Sequence, residues 1–302
     1  MKKIGENAFA ISSLKEVDIP NKVTRLEEGC FFKSKNLTKL HIPVSVEYIG
    51  GWIIQQYDYE ADKMPEDAQY ITVIIDKESK ELVLENGAFV GGKIKEINIP
   101  ESVKVIPNFC FAQTFIDKIE LPETIERIGF AAFENSWLIL KDNTFTMPRD
   151  LRILGPRALA VQNDYSYKVK FNEKLEYIYQ EAFVTGFAIE EFDFPATLKG
   201  FAKSSISTRT GLKRVVFRGT TPPELIPYYD TLQEIKFEDG KYVGVEDEAS
   251  FSPQDSGVYS DVVAYVPKVS VIAYQNKLKK ADGDVKNPFK VENIKSIEEL
   301  IK

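Results

Sequence analysis

A repeat of about 23 residues runs through most of the chain and restricts its fold more than any other feature. An apolar residue followed by Pro recurs as Ile19-Pro20, Ile42-Pro43, Ile99-Pro100, Leu121-Pro122, Met147-Pro148 and Phe194-Pro195, with Phe171-Asn172 and Phe217-Arg218 in the same phase. Most steps are 22 to 26 residues. The 57-residue step from Ile42 to Ile99 is divided by Ile75 into 33 and 24, so one unit carries an insertion, roughly Gln55 to Gln69. Before each Pro the apolar residues sit three and then two apart, as in Leu37, Leu40, Ile42 and Ile94, Ile97, Ile99, the pattern of a short strand with one buried face. Six residues after the Pro comes another apolar residue (Leu26, Ile49, Ile106, Ile128, Leu154). Four further on stands a small residue before a large one: Cys30-Phe31, Cys110-Phe111, Ala132-Phe133, Ala158-Leu159, with Ala8-Phe9, Ala88-Phe89 and Ala182-Phe183 matching. A turn and a short helical or coil segment would bring that pair inside. One such unit has too little core to fold alone, so units must stack into a solenoid with a parallel sheet along one face. The Pro, which cannot donate to the ladder, ends each strand.

Composition narrows the function. The 302 residues are 43% hydrophobic and 28% charged, enough apolar material for a packed core. With 39 basic and 46 acidic residues the net charge is -7, which argues against nucleic acid and anionic lipid as partners. No apolar run approaches the roughly 20 residues that span a bilayer, and no apolar stretch follows Met1-Lys2-Lys3 as a signal peptide would require. One His and two Cys cannot make a Cys/His zinc site, and no cofactor motif is present.

The consensus I-G-x-x-A-F-x-x-x-x-x-L-x-x-I-x-I-P, carried by Ile4-Gly5-Glu6-Asn7-Ala8-Phe9 and Leu14-Lys15-Glu16-Val17-Asp18-Ile19-Pro20, resembles the leucine-rich repeat of the BspA-like family of bacterial surface proteins. The resemblance covers about residues 4 to 218. It implies an α/β solenoid, a right-handed leucine-rich repeat superhelix of about nine repeats with a parallel sheet on one face. The expected division is a solenoid over 1–218, with the insertion at 55–69, and a degenerate repeat and capping segment over 219–302. Ala264-Tyr265-Val266-Pro267-Lys268, with Ala273-Tyr274 and Phe289-Lys290, resembles the closing segment of such proteins. Departures from the pattern are the insertion, the long unit around Trp137 to Thr146, and the weak stretch from Glu224 to Gly257. The resemblance further implies a cell-surface or secreted adhesion role, with a host or bacterial surface protein or a glycan as partner. Because the chain enters directly on a repeat, a removed signal or a truncation upstream of Met1 is expected.

Several residues are of types that can carry chemistry. Cys30 and Cys110 fall where other units place Ala, so they read as small buried thiols, three rungs and roughly 14 Å apart, too far for a disulfide. The outward strand positions form two rows. One runs Glu16, Lys39, Thr72, Glu96, Lys118, and the other Asp18, His41, Ile74, Asn98, Glu120; both continue into later units. The face is either a ligand surface or a self-complementary ladder of charges. Lys39, His41, Glu96, Asn98, Lys118 and Glu120 are its candidate contacts. In the insertion, Tyr57, Tyr59, Met64 and Tyr70 offer amphipathic contact area, and the segment is either a binding loop or a tolerated surface loop. Asp58, Glu60 and Asp62 have the spacing that opens a calcium loop, but Lys63 stands at the turn Gly and Gln69 at the closing Glu. Tyr165, Tyr167, Tyr177, Tyr179 and Tyr228-Tyr229 read as core or edge packing, and Asp282-Gly283-Asp284 as a turn. No nucleophile–base constellation appears, so the chain is expected not to be an enzyme. It reads as a recognition module or, alternatively, as a structural spacer in a larger surface protein.

Overall fold

In a computed structural model the chain winds a parallel β-solenoid of about eight turns. The structure describes residues 2–58, 60–161, 168–183, 191–202, 205, 212–226, 235–243, 262–278 and 289–300. Tyr59, Tyr165, Tyr167, Tyr228-Tyr229 and Asp282-Gly283-Asp284 lie outside them.

The strands before each Pro line up along a front face, which is divided into sheets of seven, two and four strands among the described residues. Glu16–Asp18, Lys39–Ile42, Ile71–Ile75 and Lys93–Asn98 pair in parallel, followed by the short strands Phe115–Ile116, Ile119–Glu120 and Trp137–Leu138. The register is the one the two rows require, with Glu16, Lys39, Thr72 and Glu96 side by side and Asp18, His41 and Ile74 beside them. Leu40, Ile42, Val73, Ile75, Ile94 and Ile97 face inward and are buried. The ladder is interrupted in the long unit, where Thr144–Thr146 pairs only with Lys168–Lys170. It resumes as Glu191–Phe194, Arg214–Phe217, Val263–Val266 and Ile294–Ser296. A flank of shorter parallel strands comes from the apolar residues after each Pro: Lys3–Ile4, Arg25–Leu26, Tyr48–Ile49 and Val83–Leu84, then six more from Val105–Ile106 to Glu224–Ile226.

The third side is a column of turns. It brings the small–large pair inside as expected, with Cys30, Phe31, Ala88, Phe89, Cys110, Phe111, Ala132 and Phe133 almost wholly buried. The backbone there is not helical, and among the described residues Val271–Leu278 is the one α-helix. At a fixed phase Asn7, Gly29, Trp52, Gly87, Phe109, Ala131, Arg157 and Glu181 all adopt left-handed φ, from 50 to 69°. A side chain costs about 1–2 kcal/mol in that region. From Asn7 to Arg157 the cost is offset because the N–H points at the next turn: Asn7 N donates to Glu28 O (3.0 Å), Phe109 N to Phe130 O (2.9 Å) and Ala131 N to Pro156 O (2.8 Å). At the inserted unit this bonding slips by one residue, and Trp52 N donates to the carbonyl of Gly87 itself (2.9 Å).

Two elements beyond residue 218 show how the later turns are covered. The hairpin Lys236–Glu238/Lys241–Val243 does not stack as a further rung but packs against the flank. Tyr242 N donates to Tyr179 Oη (3.0 Å), Arg127 Nη1 to Tyr242 Oη (3.2 Å), and the Arg127 guanidinium sits 4.0 Å over the Phe237 ring. Gly155 makes room for it, since a Cβ there would lie 2.9 Å from Tyr242 Oη. Near the other end, the helix Val271–Leu278 buries Tyr274 and Leu278. The Tyr274 hydroxyl reaches Gly219 O (2.9 Å) and Thr221 O (3.2 Å), and its ring packs on Phe217. The one hydroxyl proton is shared between these two carbonyls of the lead-in, the nearer being Gly219 O.

Candidate functional site

The front sheet holds six of the sequence-derived candidates, and their charges face one another. Lys118 lies between Glu96, at short contact, and Glu120 (3.1 Å), and these hydrogen bonds hold its ammonium above the usual lysine range. His41 is fixed from both sides, Nδ1 at 3.3 Å from Asp18 Oδ1 and Nε2 at 3.0 Å from Asp76 Oδ1. The second Asp76 oxygen accepts Val44 N–H (3.0 Å). Lys39 lies 4.0 Å from Asp18. Asn98 serves the ladder: its Nδ2 donates to Ile75 O (2.7 Å) and its Oδ1 accepts Ile75 N–H (3.3 Å), extending sheet bonding beyond the strand. Each exposed pair contributes about 0–1 kcal/mol. Together they leave the face satisfied by itself.

The insertion is anchored from beneath. Gln56, buried at 1% exposure, accepts Lys93 N–H through Oε1 (3.1 Å) and donates through Nε2 to Gln69 O (3.2 Å), tying both ends of the segment to the sheet. Tyr57 is 6% exposed, so its ring supports the loop from inside and offers no face to a partner, contrary to its reading as contact area. Its hydroxyl donates to Asp62 Oδ1 (2.9 Å). Met64 is half-buried, and Tyr70 is exposed beneath the ammonium groups of Lys93 (4.7 Å) and Lys95 (5.7 Å). Asp58 Oδ1 accepts the backbone N–H of Glu60 and Ala61 (3.1 and 3.3 Å), so the acidic residues read as an incomplete calcium loop build a turn instead.

The cysteines lie in the core as their repeat phase requires. Burial pushes the Cys30 thiol up to about 12 and Cys110 higher still. A thiol at about 12 is only about one part in ten thousand thiolate at pH 8. Both are therefore expected to resist a thiol-exchange reagent in the native protein and to react within seconds in denaturant; fast titration of either in the folded chain would contradict their placement.

The turn column holds residues that the row-by-row reading of the sheet did not reach. The Trp52 side chain is 46% exposed and stands between two clefts. One, of about 480 Å³, lies over Gly29 and is lined by Asn7, Glu28, Phe32 and Gln55. The other, of about 370 Å³, lies over Gly87 and is lined by Asn86, Phe109, Gln113 and Glu134. A Cβ on Gly87 would meet Trp52 Nε1 at 3.4 Å, so the indole edge lies directly over that bare backbone. Phe109, 38% exposed, forms the opposite wall and is held edge-on by Phe130 at 4.8 Å. Glu134 at the rim pairs with Arg157 (2.6 Å). The signal was in the sequence: at the phase of Asn7, Gly29, Gly87 and Ala131, two units carry large aromatic residues.

Stacked short strands closed by rung-to-rung hydrogen bonds define a leucine-rich repeat solenoid. The model of the BspA type leucine-rich repeat region matches residues 1–74 and 83–213 in six copies, and the chain belongs to that family. No curated protein matches it. Among solved structures it is similar to a leucine-rich repeat protein from Bacteroides ovatus (21% identity, 74% of this chain and 54% of that one, TM-score 0.53). It is also similar to a leucine-rich cell surface protein from Faecalibacterium prausnitzii (16%, 72% and 59%, 0.45) and to the pneumococcal vaccine antigen PcpA (16%, 96% and 76%, 0.40). The chain spans about half the length of the first of these.

Proposed function

We propose that this chain is a non-enzymatic recognition module of a cell-surface or secreted protein, binding a protein or glycan partner through the outside of the solenoid. Membership of the BspA-type repeat family carries the reading. Support comes from a rigid scaffold whose repeats leave a broad continuous surface outside a fully packed interior. Residues 219–302 then act as the closing segment. The self-paired charges of the front sheet favour one rival, a spacer that projects other domains without a ligand of its own.

Protein and glycan arrays probed with the purified chain separate the two. Selective, saturable binding to a small set of protein or glycan probes is expected. A chain that melts cooperatively yet binds nothing on either array would leave the spacer reading in its place.

A further inference from the structure

We propose that the paired clefts on either side of Trp52 form a binding site for a neutral oligosaccharide, with the indole as the platform between two sugar subsites. The proposal rests on the recognition reading and places it on the turn column rather than on the front sheet.

The repeat does not ask for an aromatic residue at this position. Other turns satisfy the same left-handed backbone with Asn7, Gly29, Gly87, Ala131 and Arg157, and the hydrogen bond each of these turns needs comes from the main chain. Trp52 and Phe109, each packed along one edge, therefore bring apolar ring surface into solvent. Gly29 and Gly87 lie on the turns immediately before and after Trp52; the Asn7 side chain covers the first, and the indole edge lies over the second with its Nε1 3.4 Å from where a Cβ would be. Trp52 and Phe109 stand two rungs apart, about 10 Å at the usual strand spacing. That span suits a short oligosaccharide laid across the turns.

Each cleft falls within the size range of small-molecule sites. The chemistry of the walls fits sugars: a flat π-face receives the C–H side of a pyranose ring, and amide and carboxylate groups from Asn7, Glu28, Asn86 and Gln113 lie within the same walls to address hydroxyls. Charge selects neutral ligands. The carboxylates at the clefts are Glu28 and Glu134, the latter already paired with Arg157, so an anionic glycan meets an acidic rim on a chain of net charge -7.

The chain has two tryptophans, and Trp137 is stacked on Phe115 at 4.2 Å. Trp137→Phe thus leaves Trp52 as the sole indole reporter. The full chain with this change is titrated with neutral gluco-, galacto- and N-acetylhexosamine tetrasaccharides, reading indole emission, with calorimetry on the unaltered chain in parallel. A saturable emission change with at least one tetrasaccharide is expected. In calorimetry, about tenfold weaker binding is expected for Trp52→Gly, which removes the ring on which a sugar would lie. Trp52→Gly suits the backbone φ of 55°, and melting curves check that it stays folded. Gly87→Asn, which sets a side chain against the indole edge while tolerating positive φ, is expected to weaken binding with the Trp52 ring retained.

The proposal is overturned if no tetrasaccharide binds, if one binds without moving Trp52 emission, or if both variants bind like the parent. The recognition reading survives any of these as long as the arrays return a ligand; it fails only when they return none.

Discussion

Ala132→Glu is expected to abolish cooperative folding, lowering the melting midpoint so far that little native protein remains at 37 °C. Ala132 has no solvent exposure, and the turns on either side place Cys110 and Ala158 at the same phase, both equally buried. Its carbonyl accepts Phe111 N–H (2.8 Å), while the adjacent Phe133 N donates to Ala158 O (3.0 Å), so the main chain cannot swing outward without breaking bonds to both neighbouring turns. A carboxylate introduced there loses its hydration with no cation provided in the stack, at a cost of several kcal/mol. Natural domains have only about 5–15 kcal/mol in total. Circular dichroism melts of Ala132→Glu against Ala132→Ser separate charge from size, because the Ser hydroxyl can turn to a nearby carbonyl. An unchanged melt for the Glu variant would mean that the small–large pair does not face inward.

The front sheet was legible because two independent signals agree on it. Alternation placed Leu40, Ile42, Ile97 and Ile99 inside, the Pro marked where each strand stops, and together they fixed which residues lie side by side. The turn column kept its inner pair legible and its backbone hidden. Left-handed φ normally announces itself through Gly, but here Gly occupies only Gly29 and Gly87 among eight equivalent positions, because the rung-to-rung hydrogen bond compensates for whatever side chain is present. A turn and a short helical or coil segment was the natural expectation; in the observed turns the N–H groups alternate, Phe109 N and Phe111 N donating to the next unit while Cys110 N and Ala112 N donate back along their own chain to Pro107 O and Phe109 O. The hairpin at 236–243 was invisible for a different reason. Its partners, Arg127 and Tyr179, lie 115 and 63 residues from Tyr242, and no local period encodes a contact of that range.

The candidate site followed the same division. The rows containing Lys39, His41, Glu96 and Lys118 were readable residue by residue, and their mutual pairing is what opposite charges on adjacent rungs produce. The inward turn of Tyr57 was not, because it depends on how Gln55 and Gln56 fold the start of the insertion: Gln55 Nε2 donates to Tyr57 O at 3.1 Å. The clefts beside Trp52 are harder still to read forward. Their walls come from residues of different units, Phe32, Trp52, Phe109 and Gln113, which no single repeat brings together.

Phe111→Ala tests whether the stack behaves as a chain of neighbours or as one block. Phe111 is fully buried, with its ring stacked on Phe89 at 5.4 Å and on Phe133 at 5.2 Å, the planes within 11° and 15° of parallel. Removing it opens a cavity between two turns, and a buried Phe→Ala change costs about 3–5 kcal/mol. In a solenoid each turn touches only its neighbours, so this loss falls on one interface rather than on the whole molecule. The turns up to Phe89 and those from Phe133 onward are then expected to unfold in separate steps. Urea unfolding read by tyrosine and tryptophan emission should broaden or split. Hydrogen exchange should speed up first on the side with fewer turns, from Ile4 to Val90. Phe111→Leu, which keeps most of the buried area, should retain one transition at a lower midpoint. A single sharp transition for Phe111→Ala at the parent midpoint would show that the ring column does not couple the turns, and that the hydrogen bonds between them alone hold the array together.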